Sequence, residues 1–157
     1  LDRGGSGIPA ADDRRIWWTA RAEELDRRGH FRNYPGPQRR EVLAKGFLGS
    51  WRPDRAVEVA LTEFRERRAL RTPKFNDELR DCFGLVGEEL RRAVLAVLAE
   101  APWDSYQPPA ELREPPGYPY VFPSKTLGCR VYLKFQISGS ARKPRVLFWS
   151  CHPAGRE

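Results

Sequence analysis

The chain has 157 residues, 40% of them hydrophobic and among them five Trp and eight Phe, which is room for one domain with its own core. A formal charge of +7 points to an acidic partner, and three cysteines with no CxxC spacing argue against a disulfide framework or a zinc site and for a reducing place of action. No apolar run of about 18 residues marks a membrane span, no signal-peptide pattern opens the chain, and no Cys or carboxylate cluster stands near His30 or His152 at ligand spacing, so no membrane partner, no metal and no cofactor is expected.

The chain contains no Met, even at position 1, and is read as a piece of a longer chain or one that has lost its start. Residues 1–12 read as a flexible Gly/Pro/Ala linker, which suits a domain carried at the C-terminal end of a larger protein and equally a cloning scar; residues 13–157 are expected to form a single α+β domain. Asp12 or Asp13 is placed to cap a helix of about fifteen residues ending near Gly29, with Trp17, Trp18, Ala20 and Leu25 inward. Two adjacent tryptophans cannot share one helix face, so one of them needs a second contact or is exposed. A Pro/Gly turn at Tyr34–Pro37 separates a second short helix, Gln38 to about Leu48.

Asp54, after Pro53, is expected to cap a third helix with Val57, Ala60, Leu61 and Phe64 at i, i+3, i+4 and i+7, ending in cations at Arg65–Arg68 that suit the helix dipole. A short helical turn over Asn76–Phe83 precedes a fourth helix, about Gly87–Glu100, which buries Leu90, Ala93, Val94, Val97 and Leu98 and stops at Pro102. The proline-rich aromatic stretch 101–124 reads as an ordered loop crossing a sheet, with a short edge strand at Pro119–Phe122.

Two apolar strands follow, Arg130–Ile137 and Arg145–His152, joined by a hairpin at Gly139–Pro144. In the first, Val131, Leu133, Phe135 and Ile137 fall on one face, and Arg130, Tyr132, Lys134 and Gln136 on the other. Residues 111–157 hold eight Lys/Arg against three Glu, while residues 1–110 hold twenty against eighteen acids, so the positive excess lies in the strand region. The polar row reads as a surface for a polyanion; the plainer alternative is a half-buried antiparallel sheet with a wet outer face. Helices first and a compact antiparallel sheet last make the fold class α+β.

Phe75-Asn-Asp-Glu-Leu79, the Leu90–Leu98 helix, Asp104-Ser-Tyr-Gln107, Val131-Tyr-Leu-Lys134 and Val146–His152, in that order and spacing, resemble the MqsR-type (motility quorum-sensing regulator) toxins, small ribonucleases of the RelE-like and barnase-like superfamily. The resemblance covers roughly residues 55–152 and implies a RelE-like fold, with N-terminal helices packed on a small C-terminal antiparallel sheet. Tyr132 matches the family's strand tyrosine, His152 falls where the family has a lysine after the last strand's serine, and Gln107 or Tyr106 falls where it has another. Both lysines are thus replaced, and the family's glutamine before the sheet has no clear counterpart in Tyr118–Phe122.

Residues and resemblance together predict a metal-independent endoribonuclease acting by 2′-hydroxyl attack. Such cleavage needs a base for the 2′-hydroxyl proton, cations for the phosphorane and an acid for the departing 5′-oxygen. The expected catalytic set is His152 as base or acid, Tyr132 as a phenol that donates or holds geometry, and Lys134 as a phosphate cation. Arg130, Lys125 and Gln136 are expected on the RNA, with Tyr118, Tyr120 or Trp149 stacking an unstacked base. The hairpin register decides whether Tyr132 and His152 share a face. The rival reading is a non-catalytic RNA- or ribosome-binding module, or an interaction domain, of a larger secreted effector. A toxin acting in the cytoplasm further implies an acidic antitoxin or immunity protein that covers the basic face at residues 125–152.

Overall fold

The structure is a computed structural model that describes residues 11–155, with side chains from Asp13. The expected linker lies outside the described residues up to position 10; Ala11 and Asp12 already belong to the first helix. The chain forms two compact units that divide between Leu48 and Gly49.

In the first unit, α1 (Ala11–Arg27) and α2 (Gly36–Lys45) enclose Trp18, Ala22, Leu25, Phe31 and Val42. The adjacent tryptophans separate as helical geometry demands. Trp18 is buried edge-on against Phe47, with ring centroids 6.0 Å apart, while Trp17 is half-buried and carries the Arg21 guanidinium over its ring at 5.8 Å. α2 ends at Gly46, whose φ of 89° is left-handed and whose Cα leaves no room for a side chain against Trp18.

The second unit runs α3 (Pro53–Arg65), β1 (Leu70–Arg71), α4 (Pro73–Phe83), α5 (Gly87–Glu100), a 3-10 turn (Trp103–Ser105), β2 (Gly117–Ser124), β3 (Cys129–Gly139) and β4 (Pro144–Pro153). The strands form one sheet in the order β1-β4-β3-β2, so the architecture is α+β. The sheet is mixed rather than antiparallel throughout, because β1 pairs parallel with β4. A two-residue strand is too short to show a period, which is why the sequence did not announce it.

Two other elements are longer than expected. β2 spans eight residues because it lies at the sheet edge, where a proline that lacks an N–H is tolerated; Pro119 is buried there, and its carbonyl accepts from Gln107 N instead of joining the ladder. α4 is a full helix rather than a turn from Asn76: Pro73 opens it, and the Thr72 hydroxyl accepts from Phe75 N as its cap. Asp54 is not the cap of α3. It lies in the first turn, buried, where Arg52 grips it through two bonds of 3.1 and 2.6 Å.

The inner face of the sheet is apolar: Val131, Leu133, Phe135 and Ile137 of β3, Val146, Phe148 and Cys151 of β4, and Tyr118, Tyr120 and Phe122 of β2 are all buried. Phe148 sits among Phe64 of α3 (5.4 Å), Phe75 of α4 (5.3 Å) and Phe135 (5.6 Å), joining both helices to the sheet. α3 and α4 thereby pack on the inner face, opposite the polar row of β3, in which Arg130 is exposed, Tyr132 and Lys134 are half-buried and Gln136 is buried. Phe148→Ala should lower unfolding free energy by about 3–5 kcal/mol, read from urea denaturation, because this site is walled by rings that cannot collapse into the space.

Candidate functional site

The polar row of β3 meets β4 through a register that changes partway. Phe135 pairs with Phe148 and Gln136 with Leu147, but Lys134 pairs with Ser150 and Tyr132 with His152, so Trp149 is an extra residue on β4. Tyr132 and His152 are therefore directly opposite on the outer face, with rings stacked at 5.2 Å and 26°. His152 Nδ1 lies 2.8 Å from the Pro153 carbonyl. A carbonyl only accepts, so this contact assigns the hydrogen to Nδ1 and leaves Nε2 as the ring's proton-accepting nitrogen.

Beside this pair stands Lys134, half-buried, with its ammonium 5.9 Å over the Trp149 ring; the Arg113 guanidinium lies 5.2 Å over the same ring. Burial holds the Lys134 ammonium below its ordinary pKa, and the positive charges of Arg113 and Lys74 push the same way against the weaker pull of Glu111. Tyr132 moves in the opposite direction. Burial, then the carboxylates of Glu78 and Glu111, raise its pKa, so the phenol remains an O–H donor at neutral pH.

α4 adds a third group to this face. Lys74 Nζ donates to Ser150 Oγ at 2.7 Å and to Glu78 Oε2 at 2.6 Å, while Glu78 Oε1 accepts from Cys151 N at 2.9 Å. Below Phe148 the edge of β4 has no strand partner, because β1 pairs only with Leu147 and Phe148. The Glu78 carboxylate takes up an N–H that the sheet leaves open there.

His152, Tyr132 and Lys134, the three expected catalytic residues, thus converge on one face, with Lys74, Glu78, Arg113 and Ser150 around them. Arg130 is exposed one step further along the β3 row, and Lys125 is exposed in the β2–β3 turn. The other three expected RNA contacts are placed differently. Tyr118 and Tyr120 are 2% and 0% exposed, stack on Phe135 in the core, and bond the carbonyls of Trp51 and Pro53 through their hydroxyls, so neither offers a ring to a base. Gln136 is 7% exposed and its amide is used internally: it accepts from Trp149 Nε1 and donates to the Pro115 carbonyl, tying the proline-rich loop to the sheet. Of the aromatic candidates, half-buried Trp149 alone stands on the polar face.

The sequence reading missed Lys74, Glu78, Arg113 and Ser150. The i,i+4 spacing of Lys74 and Glu78 is the available signal, and a helical turn starting at Asn76 leaves Lys74 outside it, whereas α4 starts at Pro73. Nothing local marked Arg113, which reaches the face through a loop. Among the described residues, no group of three His, Cys, Asp or Glu could hold a metal ion, and no helix is long and apolar enough to cross a membrane. The chain matches no family model, no curated protein and no solved structure.

The charges facing Lys134 make its titration a direct probe of the site. Its ammonium should deprotonate at lower pH than an ordinary lysine, and Arg113→Ala should move that transition upward, as followed by the ¹³Cε shift of Lys134. An unmoved transition would show that Arg113 does not sit over the face in solution.

Proposed function

We propose that this chain is a metal-independent endoribonuclease toxin domain of the MqsR type, with a RelE-like arrangement of helices and sheet, and that the outer face of β3 and β4 is its active centre. The observation that supports it most is the cross-strand stack of Tyr132 on His152 beside Lys134. A nitrogen able to take a proton, a phenol able to donate one and a half-buried cation stand together in a chain with excess positive charge, which is the set that transesterification of RNA requires.

On this reading His152 Nε2 accepts the 2′-hydroxyl proton as the 2′-oxygen attacks the adjacent phosphorus. The phosphorane's added negative charge falls on Lys134 and on the Tyr132 O–H. The bond from phosphorus to the 5′-oxygen then breaks, and that oxygen takes a proton from Lys134, whose ammonium is a readier donor because burial and its cationic neighbours lower its pKa. The products are a 2′,3′-cyclic phosphate and a free 5′-hydroxyl. Trp149 offers a ring for a splayed base, and Arg130 and Lys125 extend the positive track along the strand. Such a domain acts on cytoplasmic RNA and is neutralised by an acidic antitoxin or immunity protein seated on residues 125–152, with salt-sensitive association.

Incubation with single-stranded RNA in EDTA tests the reading: fragments ending in 2′,3′-cyclic phosphate are expected, with unchanged rate on adding Mg²⁺. His152→Ala and Tyr132→Phe should each lower cleavage by about 10²-fold or more without loss of fold by circular dichroism. The rate should fall on the alkaline side as Lys134 loses its proton, at lower pH than an ordinary lysine would dictate. RNA that is bound with salt-dependent affinity yet never cut would assign the face to a non-catalytic RNA- or ribosome-binding module instead.

A further inference from the structure

We propose that Lys74, Lys134 and Ser150 form a subsite for one phosphodiester of an RNA strand, and that Glu78 is the positioning residue that holds Lys74 in it. The proposal rests on the reading that this face engages RNA and adds α4 to the machinery supplied by β3 and β4.

A Lys and a Glu four apart on an exposed helix are ordinarily a solvated pair of little consequence. This pair is tied to the sheet at both ends. Glu78 commits one oxygen to Cys151 N on the open edge of β4 and the other to Lys74, so the carboxylate is anchored to backbone rather than free to wander. The ammonium it holds donates onward to Ser150 Oγ, and Ser150 is the residue paired with Lys134. Two lysines from different elements are thereby steered onto adjacent positions of one face. Burial first, then the charges of Arg113 and Lys74, lower the Lys134 pKa, so bringing the two lysines together carries an electrostatic cost.

The donors left over define the ligand. Ser150 is 5% exposed; its oxygen accepts from Lys74, and its own O–H meets no acceptor among the described residues. Lys74 uses two of its three N–H groups, and the half-buried Lys134 ammonium faces a ring but no hydrogen-bond acceptor among the described residues. Two ammonium groups and a hydroxyl with hydrogens to give call for a ligand that only accepts and carries negative charge. A phosphodiester oxygen pair does both. Lys134 lies two residues along β3 from Tyr132, about 7 Å, so a phosphate held there is within reach of the Tyr132–His152 pair.

The test uses the full chain and two substrates. A fluorescein-labelled single-stranded RNA with every 2′-hydroxyl methylated cannot be cut by 2′-attack, so its anisotropy titration over a salt series reads the subsite alone; unmodified RNA reads cleavage. Lys74→Ala should weaken binding of the methylated strand by about tenfold and reduce the salt slope by about one, while Lys74→Arg retains most of both. Glu78→Gln keeps an oxygen for Cys151 N but loses its grip on the ammonium, and should weaken binding of the methylated strand part of the way toward Lys74→Ala, with no further loss when it is combined with Lys74→Ala. Wild-type affinity for the methylated strand in Glu78→Gln would overturn the positioning role. Wild-type affinity and salt slope in Lys74→Ala, or no binding of the methylated strand by the wild type, would overturn the subsite. Should Lys74→Ala fail to fold, Lys74→Gln replaces it in the same titrations. A wild-type chain that binds but never cleaves, with binding still lost in Lys74→Ala, would leave the subsite standing and remove the ribonuclease reading.

Discussion

Between Leu147 and Cys151, strand β4 carries one residue more than β3 supplies opposite it, and the arrangement of the polar face follows from that insertion. Were the register of Phe135 with Phe148 continued unbroken, Tyr132 would stand opposite Cys151, and His152 would turn toward the core. The bulge reverses both. Cys151 goes inward, 1% exposed, with burial and then the nearby Glu78 charge pushing its thiol up to about 12, and His152 comes outward against the Tyr132 ring. The same extra residue sets Trp149 beside Gln136 and Ser150 opposite Lys134. A bulge next to a cluster of reactive side chains is a common way to re-aim them.

The electrostatics follow from the packing. Lys134 is half-buried and faces Arg113 and Lys74, so its charge is costly, whereas burial, and after it the charges of Glu78 and Glu111, raise the Tyr132 pKa. The two shifts move a cation and a phenol in opposite directions within one small area, as is typical where groups must exchange protons or bind an anion. Counter-charge is present but engaged: both Glu78 oxygens are taken, by Lys74 and by the backbone of β4. The loop is held by Gln136, which serves as a structural strut between Trp149 and Pro115, a role its place in the polar row did not suggest.

Where a residue's environment is made by its own neighbours in the chain, it was legible. The alternation from Arg130 to Ile137 separates core from outer face as the strand folds, and the α5 helix buries Leu90, Val94, Val97 and Leu98 as its period implies. Tyr118 and Tyr120 were misread because prolines hid the alternation of β2, whose even-numbered positions face the core beside Phe135. Asp54 had the chemistry of a cap, but the helix opens at Pro53, which puts Asp54 within its first turn, where Arg52 takes its carboxylate.

The face itself needed contacts between distant segments. Period and composition were enough to place Tyr132 and Lys134 side by side on one surface of one strand, because side chains two apart in a strand necessarily share a face. They were not enough to bring His152 to Tyr132, Lys74 to Ser150 or Arg113 to Trp149. Those pairings depend on a hairpin register, on a helix docked through Phe75 and on a loop bonded to Gln136, each separated from its partner by a stretch of chain whose length leaves the register open. Local steric rules write the alternation into the sequence, whereas register is chosen by the whole core at once, and in this chain by where a single extra residue in β4 can be accommodated.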